Sequence, residues 1–252
     1  MKVTIITATF NSEETLSASL SSVWEQDYKN IEHVIVDGAS TDNTLKIIKE
    51  FSSKNKGITY VSAPDEGIYD AINKGLDLAT GDVIGFVHSD DFLANPGIIS
   101  AIVSRFKEGD YAGVYGNLLY VERQNTNKVV RNWYSKNFHV GLLQRGWMPA
   151  HPTLFLKREV YRECGNFDRS YKIAADYDFM LRVLLRPKYK FGFLPEVITK
   201  MRVGGKSNKS ISNMMLKSQE DLRAMKTNEL NRPLMALFFK NFSKLKQFIP
   251  LS

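Results

Sequence analysis

The sequence predicts an α/β fold: a mostly parallel sheet with helices on both faces. Two observations carry this. Over the first 120 residues, short β-rich runs alternate with helical patterns, and β-α-β alternation closes by parallel pairing with crossover helices. The strand runs are also nearly continuous in apolar residues, as strands buried on both faces require. In order, residues 3–8, 31–36, 58–61 and 83–87 read as strands, and 12–26, 41–51 and 68–78 as the helices between them. A helix over 98–106 and a strand over 112–120 follow. Residues 121–150 are polar, aromatic and irregular, with a turn cluster at Gln124-Asn125-Thr126-Asn127. A strand over 153–156, a helix over 177–185 stopped before Pro187, and a strand over 191–199 complete the body. Residues 212–228 read as a helix, and Pro233 opens a last one at its N-terminus. The expected organisation is one domain over 1–205, with halves at 1–120 and 121–205, followed by a helical extension over 206–252.

Composition agrees with a folded domain of 252 residues. Hydrophobic residues make up 43% and charged residues 24%, which excludes disorder, collagen-like repeats and a disulfide scaffold. The single cysteine, Cys164, allows no intrachain disulfide and no cysteine zinc cluster. The N-terminus reads directly into a strand rather than a signal peptide, and no run reaches 18 apolar residues. A cytoplasmic location is the expectation. The net charge of +7 is uneven: residues 200–252 hold 11 Lys/Arg against 3 Asp/Glu, and the rest of the chain is close to neutral. A basic tail of this kind suggests an anionic partner, membrane surface or nucleic acid.

Ligands of open α/β sheets bind at the carboxyl ends of the strands. Four successive strand ends deliver polar groups there: Thr7-Ala8-Thr9-Phe10-Asn11, Asp37-Gly38-Ala39-Ser40-Thr41-Asp42, Ala63-Pro64-Asp65-Glu66-Gly67 and His88-Ser89-Asp90-Asp91. Any one could be a helix cap, as Thr41 or Asp42 reads; four together are poorly explained that way. Neither a Gly-x-Gly-x-x-Gly nor a Walker phosphate loop is present. A bound diphosphate would need another counter-charge, and adjacent carboxylates at a strand end, Asp90 and Asp91, can hold a hard divalent cation.

The order and spacing of these blocks resemble the family 2 inverting glycosyltransferases of GT-A fold. The match extends through Asn73-Lys74-Gly75, Ala79-Thr80-Gly81-Asp82 and a later block, Ala175-Asp176-Tyr177-Asp178-Phe179-Met180-Leu181-Arg182. It covers about residues 1–205 and is most similar to bacterial enzymes that build exopolysaccharide, O-antigen or glycolipid chains. The resemblance implies that Thr7, Ala8 and Asn11 lie along the nucleotide, with Asp37 accepting from a uracil N3–H and Asp65 near base or ribose. It implies that Asp90 contacts ribose or sugar, that Asp91 ligates Mg²⁺ or Mn²⁺, and that Asp176 is the general base. Ala175 stands where the family often has Glu. Gln144-Arg145-Gly146-Trp147 has the letters of the processive Gln-x-x-Arg-Trp motif at the wrong spacing, so a non-processive enzyme is expected.

On the acceptor side the candidates are Trp147, His151 and Asp178, the last read also as a cap or orienting residue. Residues 201–207 read as a solvated loop or as a mobile lid whose Arg202 or Lys206 reaches the diphosphate. Over 233–249, Leu234, Phe238, Phe242, Leu245 and Ile249 form one helical stripe flanked by Lys240, Lys244 and Lys246. It could pack on the body or lie on anionic lipid; the concentration of charge favours the membrane, and a homodimer is a further use of the same face. The expected function is transfer of a sugar from a nucleotide-diphospho-sugar, UDP-linked, to a glycan or lipid-linked glycan. The alternative is a non-catalytic sugar-nucleotide-binding module of the same fold. A nucleic-acid partner is not expected, because the basic residues lie in one tail and the cleft is acidic.

Overall fold

The computed structural model describes residues 1–204 and 211–243. The first half alternates as the sequence predicts: β1 (Val3–Thr9), α1 (Leu16–Trp24), β2 (Ile31–Asp37), α2 (Thr44–Lys54), β3 (Ile58–Ser62), α3 (Ile68–Leu78) and β4 (Val83–Phe86). The second half contains β5 (Asp91–Leu93), α4 (Ile98–Lys107), β6 (Gly113–Val121), β7 (Val129–Trp133) and β8 (Phe155–Lys157). It continues with α5 (Arg158–Cys164), α6 (Ala175–Leu184), β9 (Phe191–Arg202), α7 (Ile211–Thr227) and α8 (Pro233–Ser243). The strands form one sheet in the order β3-β2-β1-β4-β8-β6-β9-β5, with β7 added beside β6. The β3-β2-β1-β4 half is parallel. β8 is inserted antiparallel between β4 and β6, whereas β6 and β9 run parallel.

Alternation along the strands places the core on both faces. Ile6, Ala8, Val34 and Val36 pack with Ala71, Ile72 and Leu76 of α3. Val3, Ile5, Val83 and Val87 pack with Ile98, Ile99 and Ile102 of α4. β1 is buried along its whole length, while β3, an edge strand, is mostly exposed.

The structure departs from the expected elements where the chain is short or its pairing is distant. The irregular stretch 121–150 contains β7, which pairs antiparallel with β6, and a 3-10 segment, Val140–Arg145. The strand expected over 153–156 splits into a 3-10 turn, His151–Thr153, and the three-residue β8. α5 and β5 were not expected as elements. The two C-terminal helices join the main core: Ala224, Met225, Leu230 and Ala236 are buried in the cluster that contains α6. Gly146 makes this docking possible. Its φ is +67°, and a Cβ there would meet the α8 backbone at Lys240 N (2.3 Å) and Ala236 O (2.4 Å), so only glycine fits.

On α8 the stripe faces outward. Leu234, Phe238 and Phe242 are 68%, 56% and 53% exposed, so the alternative of a stripe packed on the body does not hold for these residues. Lys240 does not flank an exposed face as expected. It is buried, pairs with Asp221 at 2.7 Å, and places Nζ 3.0 Å from the Tyr177 ring centroid. Leu245, Ile249, Lys244 and Lys246 lie outside the described residues.

Candidate active site

The carboxyl ends of β1, β2 and β4 and the N-terminus of α6 converge on one edge of the sheet. Beside the end of β4 and the N-terminus of α6 a cavity of about 470 Å³ opens, lined among others by Tyr69, His88, Asp90, His151, Asp176 and Arg202, with no residue of β1 or β2 in its wall.

At the nucleotide edge, Asp37 ends β2 fully buried. Its carboxylate accepts from Ser40 N (3.2 Å), Ser40 Oγ (2.5 Å) and Ser62 Oγ (2.6 Å). A carboxylate has about four acceptor positions, so one remains for an incoming donor. Asn11 has φ +48° and ties the first two loops together: its N–H donates to Ser40 Oγ, and its Oδ1 accepts from Thr41 N at 2.9 Å. Asp65 accepts from Gly67 N at 2.9 Å and packs on Gly38, where a Cβ would meet its Oδ2 at 2.6 Å. Ala8 is buried. Thr7 is placed differently from the expectation. Its hydroxyl donates to Val87 O at 2.6 Å and lies 2.9 Å from His33 Nε2, inside the sheet. The hydroxyl left without a partner is that of Thr9, two residues along the same face.

Asp91 begins β5 and is 0% exposed, yet neither carboxylate oxygen has a hydrogen-bond partner among the described residues. Burial above all, and then the charge of Asp90, raise its pKa well above the ordinary value, with Arg202 opposing. Arg202 is no part of a lid. It is the last residue of β9, buried, donating to Asp90 O at 2.8 Å and stacked 4.8 Å over the Phe92 ring. The β5–β9 pairing aligns Asp91 with Met201 and so sets Arg202 beside the two carboxylates. Lys206 lies outside the described residues.

Across the cavity, Asp176 occupies the first turn of α6. Its Oδ1 accepts from Tyr177 N at 2.8 Å and meets Tyr69 Oη at 3.4 Å; its Oδ2 has no bond among the described residues. Tyr69 donates to Ile173 O at 2.6 Å. Burial, with the Asp176 charge second, pushes its phenol upward, so it remains a proton donor. The loop before α6 is held from outside: Glu220 of α7 accepts from Lys172 N (2.8 Å), Ile173 N (2.9 Å) and Ala174 N (2.9 Å).

His151 lies against Phe86 and Phe167, with ring centroids 5.2 and 5.5 Å apart. Burial pushes its pKa down to about 4, against the pull of Asp176. His88, which the sequence reading passed over as a site residue, lines the same cavity with Nδ1 unpartnered. Its pKa is lowered by burial and raised in part by Asp90 and Asp176. Two expected acceptor residues lie elsewhere. Asp178, on the buried side of α6, pairs with Arg182 (2.9 Å) and accepts from Asn228 (2.8 Å). Trp147 packs in a cluster with Tyr115 and Phe138, and its neighbours Met148 and Ala150 line the cavity instead.

The family model for glycosyl transferase family 2 matches residues 4–188. The chain belongs to that family. It is 30% identical over 216 residues to a PGL/p-HBAD biosynthesis glycosyltransferase of Mycobacterium bovis (strain BCG / Pasteur 1173P2), covering 84% of this chain and 82% of the relative. An uncharacterized glycosyltransferase of Haemophilus influenzae is 27% identical over 226 residues, covering 84% and 68%. Among solved structures, residues 1–349 of S. aureus TarS in complex with UDP-GlcNAc superpose with a TM-score of 0.72 at 20% identity, covering 96% of this chain and 73% of that one. The mannosyltransferase PcManGT from Pyrobaculum calidifontis, in complex with GDP-Man and Mn²⁺, gives 0.64 at 18% identity, covering 95% and 68%. The fold is GT-A, and the protein is a family 2 glycosyltransferase.

Proposed function

We propose that this glycosyltransferase inverts the anomeric centre. It moves one sugar from a nucleotide-diphospho-sugar, UDP-linked, to a hydroxyl of a glycan or lipid-linked glycan. The observation that supports this reading is one open carboxylate, Asp176, sharing a single cavity with Asp90 and Arg202, which touch each other, while Asp91, next to Asp90 in the chain, is buried behind them. Asp176 Oδ2 takes the proton of the acceptor hydroxyl as its oxygen bonds to the anomeric carbon, and the bond from that carbon to the diphosphate oxygen breaks. One displacement with one base reverses the configuration. The Tyr177 N–H fixes Oδ1 and so orients the base, while the Tyr69 hydroxyl, donating to Ile173 O, stands 3.4 Å from the same oxygen. Arg202 offers positive charge to the departing diphosphate. Asp37 keeps one acceptor position for the N3–H of uracil.

The donor set fits a divalent cation, Mg²⁺ or Mn²⁺. Asp91 is a buried carboxylate with both oxygens unpartnered, and Asp90 stands beside it. Among the described residues no cluster of three or more His, Cys, Asp or Glu is arranged to hold a metal, which suits an ion that completes its shell with water and diphosphate oxygens. Such an ion would stabilise the negative charge on the leaving diphosphate.

A panel of UDP, GDP, dTDP and CMP, each with and without Mn²⁺, tests the donor by thermal shift. UDP should stabilise only with Mn²⁺, by about 2.7 kcal/mol at 100 times its Kd. No shift with any nucleotide would overturn the donor reading.

We further propose that α8 meets an anionic lipid surface. Its outward stripe is continuous over Leu234, Phe238 and Phe242, and residues 200–252 carry 11 basic against 3 acidic residues. No helix among the described residues is long and apolar enough to cross a membrane. Phosphatidylglycerol vesicles should sediment the protein, and Phe238→Ser with Phe242→Ser should weaken binding at least about tenfold, given the apolar area of two aromatic rings. Undiminished binding by the double variant would refute the lipid contact.

A further inference from the structure

Among the cations lining the cavity that holds Asp176, Arg131 is stacked on aromatic rings and Lys240 is paired with Asp221, which leaves two that the proposed chemistry does not use. Lys172, in the loop before α6, and Lys217, on α7, both line it. Neither ammonium has a carboxylate partner among the described residues, and residues 205–210 and 244–252 contain no Asp or Glu. The cavity's other C-terminal charges are already satisfied, since Asp221 is taken by Lys240 at 2.7 Å.

Glu220 brings the two lysines together. It stands one turn beyond Lys217 on α7, and its carboxylate accepts from the backbone N–H of Lys172 itself and from the two that follow. That carboxylate is therefore spent on the main chain. Like charges lining one cavity repel, so two ammoniums there with no carboxylate paired to them among the described residues suit an anion supplied from outside. An ammonium is a point charge with three donors, which suits the several oxygens of a phosphoryl group more than the flat edge of a carboxylate, where an arginine fork would serve better.

We infer that Lys172 and Lys217 form an acceptor subsite for a phosphoryl group, so that the acceptor of this enzyme is a phosphorylated molecule whose hydroxyl is presented to Asp176. The inference rests on the reading of Asp176 as the acceptor-side base. Tyr120 and Trp133 also line the cavity, with Arg131 stacked at 4.7 and 5.7 Å over their rings. That is an apolar and aromatic bed for the body of such a molecule.

Ligand-observed NMR on the full chain tests this, with UDP and Mg²⁺ saturating so that the donor's own diphosphate position is filled. The probes are glucose 1-phosphate, glucuronic acid and methyl glucoside. Glucose 1-phosphate should bind at least about tenfold more tightly than methyl glucoside, and more tightly than glucuronic acid, as charge-assisted contacts predict. Lys172→Gln with Lys217→Gln should remove the preference, and Lys172→Arg with Lys217→Arg should keep the preference over methyl glucoside while narrowing that over glucuronic acid, with UDP affinity within about twofold throughout. Equal binding of charged and neutral probes would overturn the subsite, as would a preference that survives the glutamines. A UDP affinity that falls with the glutamines would assign the lysines to the donor and also overturn it. Loss of the UDP signal in the wild type is a separate result: it strikes the donor reading, and the probe comparison is then repeated without UDP. Farnesyl diphosphate distinguishes the two sources of the group. Binding tighter than glucose 1-phosphate assigns a lipid carrier, and weaker binding a phosphorylated glycan; either supports the subsite.

Discussion

Asp176→Asn is expected to cut sugar transfer by about 10³-fold, within the range that general bases contribute, while nucleotide binding stays at the wild-type level. The amide keeps an oxygen for the Tyr177 N–H, so the first turn of α6 retains its bond and the melting temperature should not move. What is lost is the oxygen able to take a proton. The measurement is nucleoside diphosphate release with acceptor present, alongside a thermal shift with UDP and Mn²⁺. If the variant keeps more than about a tenth of the wild-type rate, Asp176 is not the base. If it loses both activity and nucleotide binding, the residue shapes the donor pocket instead.

The second large effect runs in opposite directions for stability and activity. Asp91 is a buried carboxylate without a hydrogen bond, and a group in that position costs the folded protein about 1–3 kcal/mol. An amide there has the same missing partners, so Asp91→Asn gains only by lacking the ionisation that burial opposes; by that difference it should melt higher than the wild type in EDTA at neutral pH, and it should be inactive with Mn²⁺. The sign of the pH dependence follows from the raised pKa. The folded protein keeps a proton on Asp91 above the ordinary value of 3.8, so the metal-free wild type loses stability as pH rises from there through the folded pKa. The variant lacks that loss, and its advantage grows with pH. A cation needs the ionised carboxylate, so Mn²⁺ affinity in the wild type rises over the same range. A variant that melts lower than the wild type in EDTA would mean that Asp91 is a satisfied structural group.

The four strand ends were legible because buried parallel strands write themselves as apolar runs, and whatever polar residue follows each run sits at the ligand edge. Asp37, Asp65, Asp90, Asp91 and Asp176 are singled out in this way or through the family's spacing. Side-chain direction was less accessible. Thr7 and Thr9 share a face of β1, and only the neighbours Val87 and His33 decide that Thr7 is committed inside the sheet while Thr9 is left open. Arg202 read as a loop residue because its strand is extended by pairings distant in the chain, with β5 as far as Met201 and with β6 at Val121 and Arg202. β5 and β8, three residues each, are too short to show any period. Tyr69 and His88 carry no motif of their own; a preceding Asp65 turn and a following Ser-Asp-Asp were the only signals beside them. Lys172 and Lys217 stand in no motif, and the sequence does not show that Glu220 spends its carboxylate on the main chain.

The bond from Glu220 to residues 172–174 also sets where the enzyme may be cut. The family match ends at residue 188, and a fragment trimmed there would look like a complete catalytic unit by homology. It would lack the carboxylate that gathers three backbone N–H groups ahead of Asp176, and it would uncover the core against which Ala224, Met225 and Ala236 pack. Chimeras that exchange C-terminal segments between relatives must therefore carry α7 and the loop before α6 as one inherited block.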